Sequence, residues 1–579
     1  MMRFRVLLSL ASTAVLAACA TSGPPLRGEQ SGWNNTPWDG RSAYGQFLAG
    51  QAAMEDGRSE EAAAYFQAAR NLGEDPGLIA ERAFTASLLA GEVSRAAELA
   101  PVAPGGTEGV RRLGVLTQAV DLLSRGKGKD AQALLADPTL GFPHRPVVTL
   151  LTPWAAAAAG DAAKAQTLPE LRNDRLVQYF GRLGHAEILE RAGKLAEAEA
   201  DYKALMEVPA VRPMFAIDYG AFLERRKRRD EAVALYDSIL ADAPTDSALL
   251  EARARAVAKK AAPPLSTVRQ GAANSLVACA AVFSNERQSQ FALAYLRLAL
   301  HLDPKREDAL LMVGDLLDQG GDPEAARAAY ARVPATSSRY PAAQGKIAWT
   351  LQNAGDKAKA LTIAEAAAKS PNAGRSAQLV YADLLRANDR WAEAVAVIDP
   401  LVAAEKDKPD WRLLYMRGVS LERAGRWPDA ERDLQQALSL NPDEPELLNY
   451  LGYSWIDRNE HLAEALTMVQ RAVKANPQSG AMLDSLGWAY HRLGDDKAAV
   501  EMLEQAIEFE PGDPDINDHL GDVYWRLGRK TEAQFQWRRV LSLEPTPEQK
   551  AAAEAKLKDG LGSKGPAKAP AVANGADTL

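Results

Sequence analysis

Four glycines near the C-terminal end, Gly418, Gly452, Gly487 and Gly521, constrain this chain more than any other feature. They lie 34, 35 and 34 residues apart. Each follows a Leu or Arg and is followed three residues later by a large side chain. Self-similarity at such a period marks a stack of helical hairpins, which share one elongated core instead of building a globular one. Each hairpin leaves an apolar face that only its neighbours can cover.

The grammar around each glycine supports helix pairs. With Trp411 as position 1, Gly418 falls at position 8, Leu421 at 11, Gly425 at 15, Ala430 at 20, Leu434 at 24, Ala437 at 27 and Pro442 at 32. Large residues at 3- and 4-residue steps share one helix face. Glycine at 8 and alanine at 20 and 27 let two helices approach closely. A glycine near 15 suits a helix end, and a proline near 32 stops the second helix. The next copies carry Leu451, Gly452, Trp455 and Ala465, with one residue inserted near His461; then Gly487, Tyr490 and Ala499; then Gly521, Tyr524, Ala533 and Trp537. This pattern resembles the tetratricopeptide repeat (TPR). The resemblance implies an all-α fold, a right-handed α-solenoid superhelix of TPR helical hairpins.

Weaker copies precede these, such as Ala62–Phe66–Ala69, Ala198–Tyr202–Leu205, Ala232–Tyr236–Ile239, Ala326–Tyr330–Val333 and Ala360–Ala364–Ala367. Glycines 57, 91, 126, 160, 193, 321 and 355 read as turns. Roughly 12 to 14 hairpins fit between residues 41 and 546 at this period. The expected organisation is degenerate hairpins over 41–270, a C-terminal array over 271–546, a capping helix over 547–561 and a disordered tail over 562–579. Lys259–Gly271, with Pro263–Pro264, is the expected break.

The N-terminus reads as a processing signal. Arg3 and Arg5 precede an apolar run, Val6–Ala18, that is too short to span a bilayer comfortably. Leu16-Ala17-Ala18-Cys19 resembles a bacterial lipobox. That implies a signal peptide over 1–18 and lipidation at Cys19, with 19–40 as a flexible tether. Acyl chains on one residue give stable anchoring. Ala20 after the cysteine implies the outer membrane, with the body facing the periplasm. Cys279, the only other cysteine, lies in an apolar run and reads as a buried core thiol.

Loss of Arg3 and Arg5 would take the net charge from −8 to −10. That balance opposes nucleic-acid binding. Arg225–Arg229 is a basic exception that reads as a solvated turn. No phosphate loop, Gly-x-Gly-x-x-Gly, Gly-x-Ser-x-Gly or His-Glu-x-x-His occurs, and the six histidines lack metal spacing. The expectation is no enzyme, no cofactor and no metal.

The usable signal is the inner face. In TPR arrays the first helix of each hairpin lines the concave surface. Carried over by position, the last four repeats place Tyr415, Asn449, Tyr453, Asp484, Trp488, His491, Asp518, Asp522 and Trp525 there. Such aromatics suit a protein partner, or they pack between neighbouring helices. The aspartates oppose a carboxylate and favour a basic or neutral segment. The stretches Leu447–Tyr453, Leu483–Trp488 and Asn517–Asp522 resemble a proteobacterial family of large TPR outer-membrane lipoproteins. The resemblance implies a scaffold that partners a periplasmic carboxyl-terminal processing protease and brings it peptidoglycan hydrolases. Assembly of a secretin, pilus or polysaccharide-export machine is the alternative. A ligand or enzyme site in the degenerate N-terminal half is a third reading.

Overall fold

The computed structural model describes residues 42–562 apart from 73–75, 101–106, 244–245, 286–287, 371–372 and 406–408. Cys19, the signal and tether segments, and the tail after 562 lie outside the described residues. Thirty helices and no strand occur among the described residues.

The first eight helices are α1 (Ala43–Glu55), α2 (Ser59–Leu72), α3 (Pro76–Ala90), α4 (Val93–Leu99), α5 (Glu108–Ser124), α6 (Gly128–Leu135), α7 (Arg145–Ala159) and α8 (Ala162–Ala165). An arm follows: α9 (Arg175–Arg191), α10 (Leu195–Met206), α11 (Arg212–Arg225), α12 (Arg229–Leu240) and the unpaired α13 (Ser247–Val257). Then come α14 (Val268–Asn285), α15 (Ser289–Leu302), α16 (Glu307–Gln319), α17 (Pro323–Tyr330), α18 (Tyr340–Asn353), α19 (Lys357–Ala368), α20 (Arg375–Ala387) and α21 (Trp391–Ala404). The regular end holds α22 (Trp411–Arg423), α23 (Trp427–Leu440), α24 (Pro445–Arg458), α25 (Leu462–Ala475), α26 (Gly480–Arg492), α27 (Asp496–Phe509), α28 (Pro514–Arg526), α29 (Lys530–Leu541) and a last helix, α30 (Pro547–Asp559). Sequential packing gives fourteen hairpins, an α-solenoid of paired helices.

One contact explains why these sequences pair. The glycine at position 8 lies against the large residue at position 24. Gly50 meets Phe66, Gly220 meets Tyr236, Gly314 meets Tyr330, Gly418 meets Leu434, Gly487 meets Leu503 and Gly521 meets Trp537. Gly452 meets Val469, one residue later, because of the insertion near His461. Asn459 and His461 take left-handed backbone to absorb it (φ 59° and 45°). The buried members of these pairs are fully enclosed, and enclosing such a side chain stabilises by about 1.5–3 kcal/mol. The turn glycines 57, 91, 126, 160, 193, 321, 355, 425, 494 and 528 all have positive φ. That left-handed conformation ends the first helix of these ten hairpins, and Lys227, Asp389 and Asn459 supply it in three others.

The position-8 contact makes a testable contrast. A Cβ at Gly220 would sit 2.2 Å from the Tyr236 hydroxyl oxygen, whereas one at Gly109 on α5 meets nothing within 4 Å. Gly220→Ala should destabilise its hairpin by about 2 kcal/mol, because overpacking outweighs the helix propensity that alanine adds. Gly109→Ala should be neutral or slightly stabilising. Amide exchange in α11 and α12 reads the first, and equal protection in both variants would refute the contrast.

The first half departs from a simple spiral. Hairpin α14–α15 packs back on α3, α5, α7 and α9. Trp154 of α7 is fully buried, and a Cβ at Gly271 of α14 would meet its ring at 2.2 Å. Arg297 of α15 donates to the Leu89 carbonyl at the end of α3 (2.8 Å). One apolar core therefore runs from Ala53 to Ala360, across Lys259–Gly271, while the arm has a core of its own from Leu183 to Ala256. Cys279 sits in the first core as a buried free thiol.

The Arg225–Arg229 run is more than a solvated turn. Arg225 makes two 2.8 Å bonds to Glu190 and reaches the Pro263 carbonyl. Arg228 bonds Glu199 and Glu231, and Arg229 reaches the Lys260 carbonyl. Carboxylates on α9 and α10 fix this turn. The same arginines, with Arg191 on the Ser266 carbonyl (2.8 Å), pin the segment around Pro263 to the arm.

Candidate functional site

The concave side is set by which helices meet. In the regular array α24 touches α26 and α26 touches α28, while the second helices of these hairpins make no comparable contact with one another. The spiral therefore curves toward the first helices. Tyr453 reaches His519 across two repeats, with ring centroids 6.5 Å apart.

The nine residues expected on this face fall into three groups. Tyr415 meets Tyr450 edge-on at 5.8 Å, half-buried. Burial, then Glu446, pushes its phenol up to about 12. Asn449 is the next first-helix residue along, and its Oδ1 has no hydrogen-bond partner among the described residues.

The middle group is a stack. Trp488 lies between His519 (4.0 Å, 14°) and His491 (4.8 Å, 26°). His519 Nδ1 donates to both oxygens of Asp484, at 2.9 and 3.0 Å. Burial opposes a charge on His519, but Asp484, then Asp518 and Asp515, more than offset it, and its pKa rises to about 9. His491 goes the other way: burial lowers its pKa despite a 2.6 Å bond to Asp496. Burial, then Asp484, raises the Tyr453 phenol well above its ordinary range. The Trp488 Nε1 has no partner among the described residues.

The last group is closed from within. Lys556 of α30 bonds Asp518 at 2.6 Å and Asp522 at 2.8 Å. Asp522 also accepts from Trp537 Nε1 (3.0 Å). Trp525 packs on Trp537 (5.3 Å) and beside Gly560. Burial raises the Asp522 pKa while Lys556 pulls it back.

The structure thus brings Tyr453, Asp484, Trp488 and His491 together, with Asp518, Asp522 and Trp525 next along. The three aspartates are paired inside the chain with two cations, His519 and Lys556, so this face is aromatic and keeps one uncompensated negative charge in the cluster. His519 and Lys556 are the residues the position rule did not select. A signal existed: His519 stands 35 residues after Asp484 and Lys556 stands 34 after Asp522, one repeat in each case.

The N-terminal half has a serine–imidazole pair, among the described residues, close enough to suggest chemistry. Ser124 Oγ lies 2.9 Å from His301 Nε2, but Asp121 Oδ1 lies 3.1 Å from the same nitrogen. A relay needs the carboxylate on the opposite ring nitrogen. Ser124 also donates to the Asp121 carbonyl (2.7 Å). The cluster ties α15 to the end of α5.

These features define a helical-repeat solenoid, a class whose curved faces hold other proteins. Tetratricopeptide-repeat profiles match residues 183–247, 284–341, 346–409, 411–444 and 514–547, and a TPR-repeat profile matches 487–528. The chain thus carries tetratricopeptide repeats at those residues. It is similar to TPR repeat-containing protein PA4667 of Pseudomonas aeruginosa, at 29% identity over 31% of this chain and 30% of that one. Cellulose synthase operon protein C of Xanthomonas axonopodis pv. citri matches at 24% identity over 39% of this chain and 14% of that one. The match thus spans less than a third of either relative. Among solved structures, the APC/C hetero-tetramer Cut9–Hcn1 is similar over 89% of this chain and 96% of that one, at 15% identity and a TM-score of 0.38.

Proposed function

We propose that this protein is a non-enzymatic adaptor, anchored through a lipid on Cys19 at the periplasmic side of the outer membrane, that holds protein partners along its concave face. One observation carries the reading of the face. The first helices α24, α26 and α28 meet on the concave side, and the half-buried rings of Tyr453, Trp488 and His519 come together there across two repeats. These rings supply apolar anchorage for a protein segment. Because two cations offset most of the aspartate charge, the partner segment this face suits is neutral or weakly basic.

Anchoring and partner identity rest on the N-terminal sequence and the family resemblance. In that reading the adaptor brings peptidoglycan hydrolases to a carboxyl-terminal processing protease, and co-localisation raises their effective concentration. A photo-crosslinking residue at Tyr453 of the full chain, irradiated in intact cells, should trap periplasmic proteins. Recovery of neither a protease nor a wall hydrolase would remove the delivery role. Cys19→Ala should move the chain from the membrane to the soluble fraction; unchanged membrane retention would end the lipid-anchor reading.

A further inference from the structure

A cavity in the irregular half lies far along the chain from the concave array and has a different character. An apolar chamber of about 550 Å³ opens between α7, α9, α14 and α15. Its wall includes Val147, Leu176, Cys279, Phe283 and Tyr295. The polar groups at its apolar end, Tyr295 and Cys279, are spent or neutral. The Tyr295 hydroxyl is held by His144 Nδ1 at 2.6 Å, and burial pushes the Cys279 thiol far up. Such a chamber offers water little, which is the environment an apolar ligand prefers. Phe142 and Val282 stand at its mouth, exposed by 67% and 37%.

A second, polar chamber of about 910 Å³ adjoins it. The two share Asn173, Asp174 and Arg175. Arg172 and Arg182 line the polar chamber as well, against Glu170 and Asp174. Arg182 is tied to Asp201 (2.8 Å) and Asp174 caps α9 through the Val177 N–H (2.9 Å). Arg172 and Arg175 are exposed and make no ion pair among the described residues. Arg175 is the first residue of α9, an end where a cation is electrostatically disfavoured. Helix stability therefore does not explain it. An apolar chamber with one uncommitted guanidinium group on its wall and a second in the adjoining chamber, in a chain of net charge −8, is an amphipathic receptor.

We propose that this cavity binds a single-chain anionic amphiphile, a long-chain carboxylate. Its tail lies over Leu176 and Phe283, and its headgroup meets Arg172 and Arg175. The site is independent of what the concave face holds. The full chain, titrated below micelle-forming concentrations with the fluorescent fatty acid cis-parinaric acid and with the matching alcohol, tests it. The acid should bind saturably and more tightly than the alcohol. Arg172→Glu with Arg175→Glu, both at exposed positions, should weaken the acid about tenfold or more and leave the alcohol unchanged. Val282→Trp, which fills the mouth from an exposed site, should weaken both. Absence of saturable acid binding, equal affinity for acid and alcohol, or acid binding that survives both variants would overturn the assignment.

Discussion

Trp537→Ala is expected to destabilise the last hairpin by about 4 kcal/mol. The ring is fully buried, under Gly521 and against Trp525. Its removal opens a cavity where the position-8 glycine has no side chain to fill it. It also takes a donor from Asp522, whose oxygen accepts from Trp537 Nε1. Trp537→Phe separates the two effects: it keeps most of the packing, loses the N–H, and should cost about 1–2 kcal/mol. Repeats couple mainly to their neighbours, so the damage should concentrate in α28, α29 and α30. Hydrogen exchange of the full chain should show those helices opening first, with α1–α21 unchanged. Unaltered protection of α28–α30 in Trp537→Ala would refute this account of what holds the end of the array.

The period of the glycines made the regular end legible because each contact there recurs one repeat later. Gly418, Gly487 and Gly521 each receive a residue sixteen positions on, a distance that local sequence carries. The return of α14–α15 onto α3 and α5 has no such signature. Arg297 meets Leu89 across 208 residues, and His301 meets Ser124 across 177. Contacts of that separation obey no period, so an apolar run such as Leu276–Val282 revealed burial without revealing its partner. The concave face was legible in position and not in charge. Asp484, Asp518 and Asp522 stand where the repeat register puts them, yet their electrostatics depend on His519, at a position the rule passes over, and on Lys556, in a helix read only as a cap.

That cap does two jobs at once. α30 begins with a capping box at Thr546 and Gln549, which fixes its start. Its Ala553 is fully buried and its Lys556 reaches into the spiral, so covering the last hairpin and balancing Asp518 and Asp522 are one structural event. Lys556 therefore offsets one of the two carboxylate charges at the far end of the groove only while α30 is docked.

Asp484→Asn should cost the array about 2–3 kcal/mol at pH 7 and little at pH 10. The reason lies in His519. Burial opposes its charge, but the carboxylates around it, Asp484 first, raise its pKa to about 9. The folded value stands above the unfolded one, about 6.5. The stabilisation is therefore complete below about pH 6.5 and disappears as pH rises through about 9. Removing the Asp484 charge leaves burial in command, and the ring sheds its proton, which limits the loss to the linkage value instead of the full cost of an unpaired buried ion. The stack on Trp488 at 4.0 Å should loosen with the same proton, because an imidazolium over an indole face gains attraction that the neutral ring lacks. Two measurements on the full chain check this: the His519 ring titration by NMR and denaturant unfolding at pH 6, 8 and 10. The wild type should lose stability across that range while Asp484→Asn stays nearly flat. A wild-type His519 that titrates at or below 6.5 would show that the pair is not an ion pair, and the concave face would then be more acidic by one charge.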